Sequence, residues 1–332
     1  MLGGVMVNFL LALLIYILVF FKWGEEYTPV DRMVYGYSFV DEFKDLGLEN
    51  GDKILALDGK KVDRWLTIHH DIVVNETRVI QVEREGEIMD IHVPEDMTSK
   101  LLKLQYTMEP RVPCEIDMFT DDRLQKAGVE VGDRIIAVDG APMEFYDEFK
   151  DLTRKNSTTF DLTLLRGADT LNVQASTDER GMFGFSRKMY FDFFGTVVVR
   201  YSIWQSVPAG ISRGFEITGS YLKQLKMLFK PETKAYEELG GFIKIGSIFP
   251  STWDWERFWN MTAFLSIILA IMNVLPIPAL DGGHVMFLLG EMITGRKPGD
   301  KFMEYAQIVG MILLLSLLLY ANLNDIIGLF KN

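Results

Sequence analysis

Two stretches of this sequence repeat one another at a constant offset of 81 residues, and that duplication constrains the fold more than any other feature. Residues 43–59 read FKDLGLENGDKILALDG and residues 124–140 read LQKAGVEVGDRIIAVDG. In each copy the first glycine, Gly47 or Gly128, ends a short helix, and Gly51-Asp52 or Gly132-Asp133 makes a turn. The apolar alternation Ile54 to Leu57, matched by Ile135 to Val138, reads as a half-buried strand closed by an Asp-Gly hairpin turn at Asp58-Gly59 and Asp139-Gly140. The repeat therefore predicts two β-rich domains of one kind, over residues 25–98 and 105–180. The glycines and aspartates are turn chemistry and not catalysis.

Apolar stretches flank this pair. Val5 to Phe21 holds Asn8 as its one strongly polar residue and ends at Lys22-Trp23, a cation and an aromatic suited to the membrane interface. A cleaved signal peptide is the poorer reading, because residues 1–4 carry no Lys or Arg and the Lys22-Trp23-Gly24-Glu25 junction lacks small residues. Phe258 to Leu280, with Trp253, Trp255 and Trp259 crowding its start, reads as a second span. Ile308 to Ala321, extended back through Met303 to Gln307, reads as a third. Gly195 to Phe229 mixes apolar residues with Arg200, Arg213, Lys223 and Lys226, which fits an amphipathic helix on the membrane surface or a helix packed in the core. The expected architecture is a multi-domain membrane protein. Its α-helical core has about three spans, at residues 1–24 and 256–332, two β-rich domains sit between the first and second spans, and a membrane-surface linker runs over 190–250.

Composition narrows the partners. A 48% hydrophobic content places part of the chain in lipid, and a formal charge of −12 argues against nucleic acid and does not favour anionic lipid. The single cysteine, Cys114, has no partner for an intrachain disulfide and belongs to no CxxC pair.

Chemistry concentrates in residues 273–284, NVLPIPALDGGH, at the end of the second span. Pro276, Pro278 and two glycines cannot continue a regular helix, so the span must break where it meets Asp281. Broken backbone at membrane depth is tolerated only against protein or a water-filled cavity, and an ionisable residue there is a functional candidate. The bland reading of Asp281 is a helix cap for a helix starting at Gly282. Elsewhere, His69 and His70 beside Asp71 read as an exposed pair, since adjacent residues point to different sides and no third ligand is evident. His92 sits in a strand-like stretch, and His284 reads as a helix-start residue.

The repeat resembles the signature of bacterial PDZ domains, which receive an extended peptide or a C-terminus beside a strand. That resemblance implies a groove around Tyr35, Tyr37 and Phe39 in the first copy and around Val112, Cys114 and Ile116 in the second. The NxxPxPxLDG stretch is similar to that of the site-2 (M50-type) protease family, in its bacterial sigma-factor-regulating branch with tandem PDZ domains. Gly4-Val-Met-Val-Asn8 is similar to the family's GxxxN motif. The resemblance implies that Asp281 is a ligand of one zinc ion, that Asn273, Pro276 and Pro278 shape the cleft, and that Asn8 lies near the active site. It further implies a bacterial inner-membrane protease with its PDZ pair on the periplasmic side. Its substrates would be transmembrane proteins such as anti-sigma factors, already cut by another protease.

The family's HExxH helix, which supplies two zinc ligands and the catalytic glutamate, has no counterpart among His69, His70, His92 and His284. The sequence therefore reads as N-terminally truncated, with no catalytic residue of its own. Two rivals follow: a catalytically dead membrane scaffold that keeps peptide binding, and a transporter component, for which repeated membrane halves are wanting.

Overall fold

The computed structural model describes residues 2–104, 107–154, 158–247, 249 and 252–331. The expected start of the second copy, at residue 105, lies outside them. The chain divides into two compact units, Tyr27–Val197 and the combination of Met1–Glu26 with Val198–Asn332.

The second of these is helical: α1 (Leu2–Lys22), α2 (Ile203–Leu228), α3 (Trp255–Val274), α4 (Asp281–Thr294) and α5 (Asp300–Lys331). Three segments, Gly3–Lys22, Trp255–Val274 and Asp300–Gly328, are long and apolar enough to cross a membrane. Helix α5 is one continuous element that starts at Asp300, just ahead of the expected third span, and extends well past its end at Ala321. Ala12, Ile15, Tyr16 and Val19 of α1 pack against Ala263, Ile267 and Ile271 of α3, and the Ser266 hydroxyl donates to the Asn8 carbonyl at 2.8 Å. Such small-residue and hydroxyl contacts suit a lipid setting, where apolar surface alone does not drive helices together.

Unit Tyr27–Val197 contains the duplicated fold. Its strands are β1 (Tyr37–Phe39), β2 (Lys53–Leu57), β3 (Lys60–Lys61), β4 (Val79–Arg84), β5 (Glu87–His92), β6 (Met108–Pro110), β7 (Ile116–Phe119), β8 (Arg134–Val138), β9 (Ala141–Pro142), β10 (Thr159–Arg166), β11 (Asp169–Ser176) and β12 (Phe185–Arg187). The first copy forms an antiparallel sheet in the order β3-β2-β4-β5, and the second repeats it as β9-β8-β10-β11. Each hairpin turns through residues with positive φ, Asp58 (47°) with Gly59 (75°) and Asp139 (50°) with Gly140 (77°), as a two-residue hairpin of primed type requires. Ile54 and Leu57 in one copy correspond to Ile135 and Val138 in the other, and all four are buried; a register shift in each ladder brings residues three apart to the core. Each fully buried Ile or Phe of this kind contributes about 2 kcal/mol of transfer free energy.

The repeated aspartates do more than turn the chain. Asp52 is only 1% exposed and receives the Arg84 guanidinium through Nε and Nη2, both at 2.7 Å, while Arg84 also reaches Glu49 and the Gly47 carbonyl. Asp133, also 1% exposed, receives Arg166 at 2.8 and 2.7 Å, and Arg166 reaches Glu130 and the Gly128 carbonyl. A buried carboxylate is stable only when paired and hydrogen-bonded. Each copy meets that requirement with an arginine from the end of its third core strand. The hydrogen bond from Arg166 holds the Asp133 carboxyl below the usual carboxylate range.

Two further pairings cross the expected domain limits. β6 pairs with β1, and β12, which lies beyond residue 180, pairs with β7. The copies are also joined side by side. Asn50 donates to Asp147 at 2.9 Å and Arg111 N donates to the Gly36 carbonyl at 3.0 Å, while within the second copy Arg111 Nε donates to Asp147 at 3.1 Å and its guanidinium lies 4.0 Å over the Phe145 ring.

Candidate functional site

Helix α3 stops at Val274 because Pro276 has no N–H to offer the Met272 carbonyl. That carbonyl instead accepts from Leu275 N at 3.2 Å. Residues 275–280 form a tight loop, with Ile277 N bonded to the Leu275 carbonyl at 2.7 Å and Leu280 N to the Ile277 carbonyl at 2.8 Å. Helix α4 then starts against this loop. A Cβ on Gly282 would lie 2.3 Å from the Leu275 oxygen, and one on Gly283 would lie 2.4 Å from the Ile277 oxygen. The glycine pair therefore lets the first turn of α4 press directly on broken backbone. Gly310 plays the same part on α5, where a Cβ would stand 2.8 Å from Ala279 N.

This packing fixes Asp281. It occupies the first turn of α4 after the N-cap Leu280, and its side chain makes no capping bond, so the capping reading is not realised. Its Oδ2 instead faces the start of α1, 3.9 Å from where a Gly4 Cβ would be. A bulkier residue at position 4 would fill the space beside the carboxylate. No hydrogen bond or ion pair to the Asp281 carboxylate forms among the described residues, although it is half-buried.

The other residues of the motifs differ in exposure. Asn8, one turn along α1 from Gly4, is half-buried, and its carbonyl is held by Ser266. Asn273 and Pro278 are half-buried, and Pro276 is exposed on the loop. His284 approaches Gln307 Nε2 of α5 at 3.3 Å, which ties α4 to α5. His69, His70 and His92 belong to the other unit. His69 Nδ1 lies 3.0 Å from the Thr107 hydroxyl, and burial depresses its pKa. No group of three or more metal-binding side chains exists among the described residues. A catalytic zinc normally takes three protein ligands, so these residues supply one donor and do not by themselves fit a complete zinc site.

Most residues expected to line a peptide groove belong to the core of the duplicated unit. Tyr37, Val112, Cys114 and Ile116 are fully buried core residues and cannot line an open groove, while Tyr35 packs between Phe145 and Phe194. Phe39, also buried, borders a cleft of about 710 Å³. Its other walls are Phe149 and Lys150 of the helix Tyr146–Thr153, together with Met182, Phe183 and Phe185 leading into β12. The sequence did carry a signal for this wall, the segment Gly181-Met-Phe-Gly-Phe185, whose two glycines both take positive φ.

Residues 1–317 match the model of Peptidase family M50. A Clostridium perfringens protein named "Putative zinc metalloprotease" is 31% identical over 215 residues, covering 61% of this chain and 60% of the relative. A Pasteurella multocida protein of the same name is 24% identical, over 98% of this chain and 77% of the relative. The regulator of sigma E protease of Haemophilus influenzae is 23% identical over the same shares of the two chains. Against the Clostridium protein, the chain thus spans about 60% of the relative's length.

Proposed function

The chain belongs to peptidase family M50, the site-2 proteases, and on that premise we propose that it forms the substrate-cleft part of an intramembrane zinc metalloendopeptidase. In this reading Asp281 is one zinc ligand, and the remaining donors are not among the described residues. Bound zinc would polarise a scissile carbonyl and lower the pKa of a coordinated water. What this chain contributes is positional. The loop 275–280 interrupts the helical backbone ahead of the carboxylate, Gly282 and Gly283 press α4 on that loop, and the absence of a side chain at Gly4 leaves space beside Asp281. The observation that carries the proposal is the half-buried, unpartnered Asp281 carboxylate aimed at Gly4.

The paired β-rich copies act in the same proposal as PDZ-like modules on the extracytoplasmic side of a bacterial inner membrane. The cleft bounded by Phe39, Phe149 and Phe185 takes an extended peptide or C-terminus, and the protease substrate is a transmembrane protein such as an anti-sigma factor, trimmed beforehand by another protease. A second reading, a membrane scaffold that only binds peptides, is favoured by the lone carboxylate at the site and the open cleft in the other unit.

One experiment separates the two. The full chain, preceded by a helix bearing His-Glu-x-x-His, is reconstituted in vesicles with a fluorogenic transmembrane peptide. Cleavage that a chelator and Asp281→Asn both abolish supports the protease; peptide binding without cleavage supports the scaffold.

A further inference from the structure

The two copies in unit Tyr27–Val197 share a sheet order, yet the face that borders the cleft in the second copy is covered in the first. At the 81-residue offset the helix Tyr146–Thr153 corresponds to the start of the helix Trp65–Val74. Tyr146, Phe149, Lys150 and Thr153, which line the cleft, therefore have Trp65, Ile68, His69 and Ile72 as counterparts. Tyr190 packs edge-on against Trp65 with ring centroids 4.7 Å apart, and Ile68 and Ile72 are buried. His69 Nδ1 lies 3.0 Å from the hydroxyl of the buried Thr107, just ahead of β6.

The connections that lead to β6 and β12 differ in the same sense. In the second copy, residues 177–184 join β11 to β12 and turn through Gly181 and Gly184, at φ of 77° and 78°. In the first, residues 93–107 join β5 to β6, contain no glycine and include the helix Met97–Leu101, whose Met97, Thr98 and Leu101 are buried. A glycine turn thus borders the open cleft, while a packed helix takes its place in the first copy. Among the described residues β12 is paired on one side only, with β7, so its second edge keeps backbone donors and acceptors for another strand.

What the first copy adds is the facing wall: Phe39, Asp41 and Glu42 line the same cleft as Phe149 and Phe185. Glu109 of β6 fixes that wall to the second copy, accepting from Arg187 at 3.2 Å with Lys150 at 3.7 Å. Most charges along the cleft are used in this way. Asp147 meets Arg111, Asp151 meets Arg154 at 3.8 Å, and Asp41 reaches Lys44 at 4.0 Å. Two side chains remain that form no hydrogen bond or ion pair among the described residues. They are Glu42, half-buried on the wall from the first copy, and Arg180, exposed beside the glycine turn.

Resting on the peptide-docking reading of this cleft, we propose that the chain holds one peptide and not two, and that the first copy acts as a selecting wall for the second. The second copy is the receptor: the peptide adds to the free edge of β12 and lays apolar side chains on Phe149 and Phe185. The first copy, its own face covered, reads the same peptide from the opposite side through Glu42. One unused charge of each sign suits an extended segment whose terminal carboxylate lies toward Arg180 and which carries a basic side chain toward Glu42.

A synthetic library of random octapeptides with free C-termini, selected on the full chain in detergent, tests it, and the enriched peptides are then titrated as dye conjugates. The expected result is one peptide per chain and enrichment in Lys or Arg. Affinity should fall about fivefold or more in Glu42→Lys, with Glu42→Gln moving in the same direction as a control for folding. Maleimide reaction at single cysteines locates the peptide, with the buried Cys114 as silent background. Bound peptide should slow the reaction at Lys150→Cys severalfold and leave His69→Cys unchanged. Two peptides per chain, or equal protection at both positions, would overturn the single cleft while leaving peptide docking intact. Equal affinity in the parent and Glu42→Lys would overturn selection by the first copy. A library without any enriched peptide would overturn the docking reading itself.

Discussion

Replacing Gly282 with alanine adds one methyl group where there is no room for it. The new Cβ would lie 2.3 Å from the Leu275 oxygen and 2.4 Å from the Val274 oxygen, about 1 Å inside ordinary contact. Both obstacles are backbone, so no side-chain rotation relieves them, and α4 must lift off the loop that positions Asp281. Overpacking of this kind costs about 1–3 kcal/mol, and immovable neighbours put Gly282→Ala at the upper end, near 3 kcal/mol. An internal control sits on the same helix: a Cβ at Gly290 meets nothing within 4 Å, so Gly290→Ala should stabilise by about 0.5–1 kcal/mol through helix propensity alone. The two variants should then differ by roughly 3–4 kcal/mol, or on the order of 6–8 °C in melting temperature. Thermal unfolding in detergent, followed by tryptophan fluorescence with Trp255 and Trp259 on α3, measures that gap. Limited proteolysis across 275–280 shows where the loop opens. Equal melting temperatures for the two variants would refute the claim that α4 is pressed onto the broken segment.

Three shorter expectations concern the duplicated unit. Asp52→Ala removes a buried carboxylate that holds Arg84 and Glu49 N, and should cost about 2–4 kcal/mol in chemical denaturation, whereas the exposed Asp41→Ala should cost little. Asp133 has a folded-state pKa depressed by Arg166. Its contribution is therefore present above the unfolded value of about 3.9 and lost as pH falls through the lower folded one, and acid unfolding of Arg166→Gln should begin at higher pH than that of the parent chain. Burial pushes the Cys114 thiol up to about 12, so maleimide at pH 8 should label it only after denaturation; rapid labelling of the folded chain would contradict its placement in the core.

The parts legible in the sequence were those written in local pattern. The hairpins declared themselves through Asp58-Gly59 and Asp139-Gly140, and the break after α3 through Pro276 and Pro278, because backbone dihedrals and missing donors act within a few residues. The cleft beside Phe39 was not legible. Its strand β12 lies beyond residue 180 and has three residues, too few for any periodicity, whereas the more conspicuous apolar run Val112 to Ile116 packs the core. The arginine clamps were half visible: Arg84 and Arg166 sit one residue off the 81-residue offset, but nothing local shows that a strand-end arginine returns to a turn aspartate. Nor could the sequence place α2. Gly210 and Gly214 are a four-residue spacing among many glycines, and only the approach of Ile17 and Leu13 shows what that spacing does.

Zinc counting tests the central claim, that Asp281 is a metal ligand. The full chain, preceded by a helix bearing His-Glu-x-x-His, is purified alongside its Asp281→Asn variant, and metal per chain is measured by plasma mass spectrometry. The account predicts about one zinc per chain for the parent and a loss of at least tenfold in occupancy for the variant. Equal zinc in the two would mean that the carboxylate beside Gly4 serves some other purpose.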